Sequence, residues 1–118
     1  MEAKDMTRVV EKYVEAFANT DMDIIRAMYA SNARVEDPVG SPVHEGLDAI
    51  CTFYEGAMKS GAKLALTGTP RCAGNAVAFP FQVTMPGLVL DVIDVFEFDD
   101  NGKVASMKAY WGPQNIQT

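Results

Sequence analysis

The chain has 118 residues, room for one domain spanning 1–118 and too few for two ordinary ones. Ten basic against 16 acidic residues leave a formal charge of -6. That balance argues against a nucleic-acid partner, which needs a basic patch, and against an anionic membrane surface.

One histidine, His44, and two cysteines, Cys51 and Cys72, are too few for a typical zinc site. No CxxC pair exists, so a thioredoxin-type redox motif is out. No run of about 18 apolar residues predicts a membrane span. The charged start, Met1 to Asp5, leads into an amphipathic pattern and not a signal peptide. Two lone cysteines fit a reducing cytoplasm, and both read as unreactive. Any chemistry must rest mainly on carboxylates, tyrosines and backbone.

In chain order, Val9, Val10, Tyr13, Ala16 and Phe17 recur at helical spacing and predict a helix from about residue 4 to 18. Asn19-Thr20-Asp21 offers caps for a second helix, with Ile24, Ile25, Met28 and Tyr29 on its apolar face. Ala33 to Glu36 reads extended, and Asp37 to Pro42 is turn chemistry. Leu47, Ile50, Phe53, Tyr54 and Met58 predict a third helix that stops at Gly61. Strands follow at about 62–68, 75–85, 88–99 and 103–112. Pro86-Gly87 and Asp99-Asp100-Asn101-Gly102 divide them as hairpin turns. Helices first and hairpin-linked strands after predict an α+β fold, three helices on one face of a mostly antiparallel sheet.

Alternation from Leu90 to Phe98 puts Leu90, Val92, Asp94, Phe96 and Phe98 on one strand face. If that face is interior, Asp94 must find a partner or stay protonated. If the faces are reversed, Asp94 is solvated. Asp37 is either a plain turn residue before Pro38 or, sharing a face with Val35, the mouth of the same interior. Tyr13, Tyr29 and Tyr54 each stand on an apolar face, as plain core or as hydroxyls that meet one another. Phe79, Phe81, Val83, Met107 and Trp111 are candidates for the remaining wall. His44 lies in the stretch Pro42 to Gly46 and reads as an exposed turn residue.

With Tyr13, Asp37 and Asp94 together, the sequence resembles the bacterial ketosteroid isomerases. Its specific stretches are Val35-Glu36-Asp37-Pro38-Val39-Gly40 and Asp91-Val92-Ile93-Asp94-Val95. Weaker support comes from Arg8 to Val14, Met28-Tyr29-Ala30, Phe53-Tyr54 and Ser106 to Trp111. The resemblance implies the nuclear-transport-factor-like fold, a strongly curved sheet forming a cone-shaped cavity, and a homodimer. The open sheet face around Ile93 and Val95 would suit that dimer or a protein partner equally well. It implies Asp37 as general base, with Tyr13 and a protonated Asp94 as oxyanion hole. This assignment of acid and base is the family's pattern. Tyr29 and Tyr54 match positions that hydrogen-bond to the oxyanion-hole tyrosine. The implied pocket comprises Phe53, Phe79, Phe81, Val83, Phe96, Met107, Ala109 and Trp111. The implied substrate is an apolar ketone such as a steroid, and neither metal nor organic cofactor is required. A ligand-binding module without catalysis, or a hydrolase or dehydratase on the same fold, is the alternative. One departure from the family is the short link from Met85 to Leu88. It is expected to keep Asp94 in register only if both strands lose pairs at the tip.

Overall fold

The computed structural model describes residues 1–117. Helix α1 spans Ala3–Asn19 and buries Val10, Tyr13, Ala16 and Phe17 of the stripe read from the sequence, with Met6 in addition, while Val9 is half-buried. It ends at Thr20, in the left-handed region at φ 52°. Asp21 then caps helix α2, Met22–Met28, by accepting from the Asp23 backbone N–H at 3.0 Å. The chain passes without a loop into strand β1, Tyr29–Glu36. Tyr29 is therefore a strand residue and not part of the helix face. Its ring still points inward, because the last helical residue and the first strand residue are both buried.

A bridge strand β2, His44–Glu45, pairs back on β1 and precedes helix α3, Leu47–Lys59. Five strands come next: β3 Lys63–Leu66, β4 Arg71–Ala73, β5 Ala76–Met85, β6 Leu88–Phe98 and β7 Val104–Tyr110. A 3-10 turn, Pro113–Asn115, leads to the short strand β8, Ile116–Gln117. The sheet order is β2-β1-β7-β6-β5-β3, with β4 on β5 and β8 on β6. All pairs are antiparallel except β1 with β7, which run parallel. The sheet is thus mixed, curved and unclosed, with three helices on its inner face. The α+β expectation stands, and its "mostly antiparallel" clause has one exception.

At the hairpin tip the two long strands stay in register. Pairing of β5 with β6 is unbroken from Ala76–Glu97 to Met85–Leu88, closed by the two-residue turn Pro86-Gly87. Gly87 adopts φ +76°, which a side chain would resist. Pro80 lies mid-strand, where a missing N–H is usually costly. It is tolerated because the outer partner changes there: β3 covers Phe81 to Thr84, and β4 covers Ala76 to Ala78.

Two lysines tie helix ends to the sheet side. Lys63 Nζ donates to the carbonyls of Phe17 and Ala18 at 2.9 and 3.3 Å, at the end of α1. Lys103 Nζ donates to the Ala27 carbonyl at 2.6 Å, near the end of α2. Each cation meets the negative end of a helix.

Alternation along β6 resolves its two faces. Leu90, Val92, Asp94, Phe96 and Phe98 are buried, while Ile93 and Glu97 are exposed. The core inside the sheet is rich in aromatic edges. Tyr13 meets Phe17, Phe79 and Phe96 edge-on, with ring centroids 5.4, 6.0 and 5.2 Å apart.

Candidate active site

An apolar cavity of about 230 Å³ opens between the helices and the inner face of β5 and β6. Tyr13 and Phe17 reach it from α1, and Phe53, Tyr54 and Ala57 from α3. Leu64, Phe81, Val83, Met85, Leu90 and Val92 come from the sheet, with Asp37 and Trp111 at two strand ends.

Of the eight expected pocket residues, Phe53, Phe81, Val83 and Trp111 line this space. Phe79, Phe96, Met107 and Ala109 have no exposed surface and pack behind the wall. Phe17, Leu64, Met85, Leu90 and Val92 are lining residues the sequence reading left out. Phe17 follows Tyr13 by one helical turn, and Leu90 and Val92 share the face of Asp94, so a signal for these existed. Leu64 and Met85 depend on the pairing of β3 with β5, which local pattern does not reveal.

Asp37 follows β1 on the face of Val35, half-buried, at the start of a cis Asp37–Pro38 peptide. The Trp111 indole N–H donates to its Oδ1 at 2.9 Å. Sequence reading placed Trp111 only as wall. Burial raises the Asp37 carboxyl above its ordinary range, and the indole N–H and the charge of His44 pull it back.

The three tyrosines form a hydrogen-bonded row. Tyr54 hydroxyl lies 2.5 Å from Tyr29 hydroxyl and 3.2 Å from Tyr13 hydroxyl. Burial, above all, holds Tyr13, Tyr29 and Tyr54 well above the usual phenol range, and the Asp94 charge adds to it for each. They are therefore neutral hydroxyls able to donate.

Asp94 is 1% exposed and stands opposite Phe79 on β5 and Ala109 on β7. Neither carboxyl oxygen has a hydrogen-bond partner among the described residues. Burial raises it well above the carboxylate range, and the charge of Asp37 raises it further. The nearby Tyr13 hydroxyl opposes this only in part. The two carboxyls are both pushed upward, Asp94 much further.

His44 corrects an expectation. It is half-buried on β2, not exposed in a turn, and its ring lies 4.5 Å from that of Phe53 at 32°. Arg34 and Arg71 lie away from the cavity. Arg34 pairs with Glu45, and Arg71 donates to the Thr69 carbonyl at 2.8 Å; both are exposed. Cys51 and Cys72 are free thiols, 51 buried and 72 half-buried. Among the described residues, no three His, Cys, Asp or Glu side chains are grouped to hold a metal, and no helix is long and apolar enough to cross a membrane.

A curved, unclosed sheet with three helices on its inner face is the nuclear-transport-factor-like α+β fold. The SnoaL-like domain family matches residues 10–107. A steroid delta-isomerase of Nocardioides simplex is 39% identical over 118 residues, covering 95% of this chain and 94% of that protein. The solved structure of SalBIII superposes with a TM-score of 0.92 at 26% identity, covering 99% of this chain and 98% of that one. SalBIII is described as an epoxide hydrolase/cyclase-like enzyme with a role in pyran ring formation in the polyether salinomycin. The chain belongs to the SnoaL-like family. Within it, this is a ketosteroid-isomerase-like protein.

Proposed function

We propose that the protein is a delta-isomerase that moves a C=C bond from β,γ to α,β relative to the ketone of an apolar substrate, a 3-ketosteroid in the first instance. Asp37, as carboxylate, removes a proton from the carbon between ketone and alkene. The dienolate that forms carries its charge mainly on the ketone oxygen. Tyr13 hydroxyl and the protonated Asp94 donate to that oxygen. Donors fixed in a dry cavity favour the charged transition state over the neutral ketone. Asp37 returns the proton two carbons further along, giving the conjugated enone. One base serves both steps, so the reaction calls for no metal or cofactor.

The observation that carries this reading is Asp94. A carboxyl that is fully buried without a partner keeps its proton, and a neutral acid is a donor. Tyr29 and Tyr54 support it by fixing the Tyr13 hydroxyl through the row of phenols. The name of the Nocardioides relative supports the substrate class. The test is the rise in ultraviolet absorbance of the conjugated product from a 5-ene-3-ketosteroid. Turnover by the wild-type protein is expected. Binding of the steroid without turnover would instead make it a ligand-binding module, and turnover of an epoxide in its place would favour the hydrolase reading.

Trp111→Phe removes the donor that favours the charged form of Asp37. The acid limb of the pH–rate profile is expected to move to higher pH, with kcat/KM roughly tenfold lower at its acid end. A profile unchanged by the substitution would deny the indole this role.

The reading includes a homodimer in the cytoplasm. Ile93 and Tyr110 are directly paired across β6 and β7, and each is 48% exposed on the outer sheet face. An apolar patch of that kind fits a second copy related by a two-fold axis. Sedimentation equilibrium is expected to give twice the chain mass, and Ile93→Asp the single mass.

A further inference from the structure

His44 is the chain's one histidine. It pairs directly with Val35 across β1 and β2, and residues opposite one another share a face of the sheet. Val35 is fully buried on the inner side. Asp37, two residues on, takes that same side. The imidazole therefore stands diagonally beside Asp37 on the cavity side, one strand further from the centre of the sheet.

Its ring stacks on Phe53, a cavity residue, which in turn meets Tyr54 edge-on at 5.2 Å. The other charges near it are engaged or outward. Glu45, next on β2, pairs with Arg34 on the outer side. Glu36 accepts from the Gly40 backbone N–H at 2.8 Å. Asp48, in the first turn of α3, is exposed. Of the carboxyls on the inner face, Asp37 follows the neighbouring strand β1, while Asp94 lies three strands away on β6.

We propose that His44 is a positioning residue of the site: its ring clamps Phe53 on the cavity wall, and as an imidazolium it supports the Asp37 carboxylate. The effect on turnover rests on the isomerase reading; the clamp and the charge do not. A positive charge on the ring, beside Asp37, favours the ionised form of its carboxylate. The sign agrees with the downward pull of His44 on Asp37. The same charge gains from lying on the face of Phe53.

Three variants separate the two effects. His44→Phe keeps a flat ring and loses the charge. His44→Gln loses the ring and the charge but stays polar, and His44→Ala loses both. The Asp37 carboxyl is titrated by carbon-13 NMR, its signal assigned by its loss in Asp37→Asn. Binding of 2-naphthol, a flat apolar phenol, is measured by calorimetry at neutral pH, and kcat/KM is followed from acid to neutral pH. In His44→Phe the Asp37 titration is expected to move to higher pH with 2-naphthol binding unchanged. Its kcat/KM at the acid end falls about threefold relative to neutral pH. His44→Gln and His44→Ala show the same titration change and also bind 2-naphthol about threefold more weakly. An unmoved Asp37 titration in His44→Phe and His44→Gln overturns the charge role. Wild-type affinity in His44→Ala overturns the clamp. If the wild type turns over no ketosteroid while the titration and affinity change as stated, the isomerase reading fails and the role of His44 stands.

Discussion

Asp37→Asn is expected to lose about 10⁴-fold in kcat for the ketosteroid while keeping the wild-type circular dichroism. The amide keeps the shape of the carboxylate and can still accept the Trp111 N–H, so the wall around it is preserved. What it lacks is basicity. Among the described residues no other carboxylate lines the cavity, and Asp94, behind the wall, is held neutral by burial. A variant with full activity would remove Asp37 from the reaction and return it to a plain turn residue. Removing a half-buried carboxyl whose folded pKa is raised also carries a stability effect of the same sign as at Asp94.

The second large effect is at Asp94, and it has two parts. Asp94→Leu is expected to slow turnover about 10²–10³-fold, the usual cost of one lost oxyanion donor. Tyr13 still donates, which sets the floor. The other part is stability. A carboxyl with its folded pKa raised binds more protons in the native state than in the unfolded chain. Its ionisation therefore costs nothing at low pH and destabilises increasingly as pH rises from the unfolded value, about 4, through the folded one. The thermal midpoint of Asp94→Leu should exceed that of wild type by a margin that widens with pH. Loss of rate together with gain of stability is the signature of a group kept for function against the interest of the fold. A variant slower and less stable at neutral pH would make Asp94 a structural residue. A variant with wild-type rate would place it outside the site.

Much of the fold was legible because long elements carry their own periodicity. The stripe of α1 and the alternation of β6 needed no tertiary knowledge, and Asp94 showed as an anomaly within the second. Elements defined by pairing alone were not legible. β2, β4 and β8 have two or three residues each, too short to show a period. That is why His44 read as a turn residue. Tyr29 was assigned to a helix because a strand beginning directly at the helix end continues the same apolar run. The cavity wall was half legible for another reason. Inward-facing residues are identified by alternation, but alternation does not tell depth. Phe79 and Phe81 stand on one face of β5, yet one is closed in the core and the other borders the void. The hydrogen bond from Trp111 to Asp37 joins positions 74 apart in the chain, and nothing local announces it.

That bond has a practical consequence. Trp111 is the sole tryptophan of the chain, so all indole emission comes from a ring tethered to the proposed base and bordering the cavity. Emission wavelength and quenching then report on the charge of Asp37 and on occupancy of the site, with no label attached. The protein carries its own optical probe at the place where its chemistry is proposed to happen.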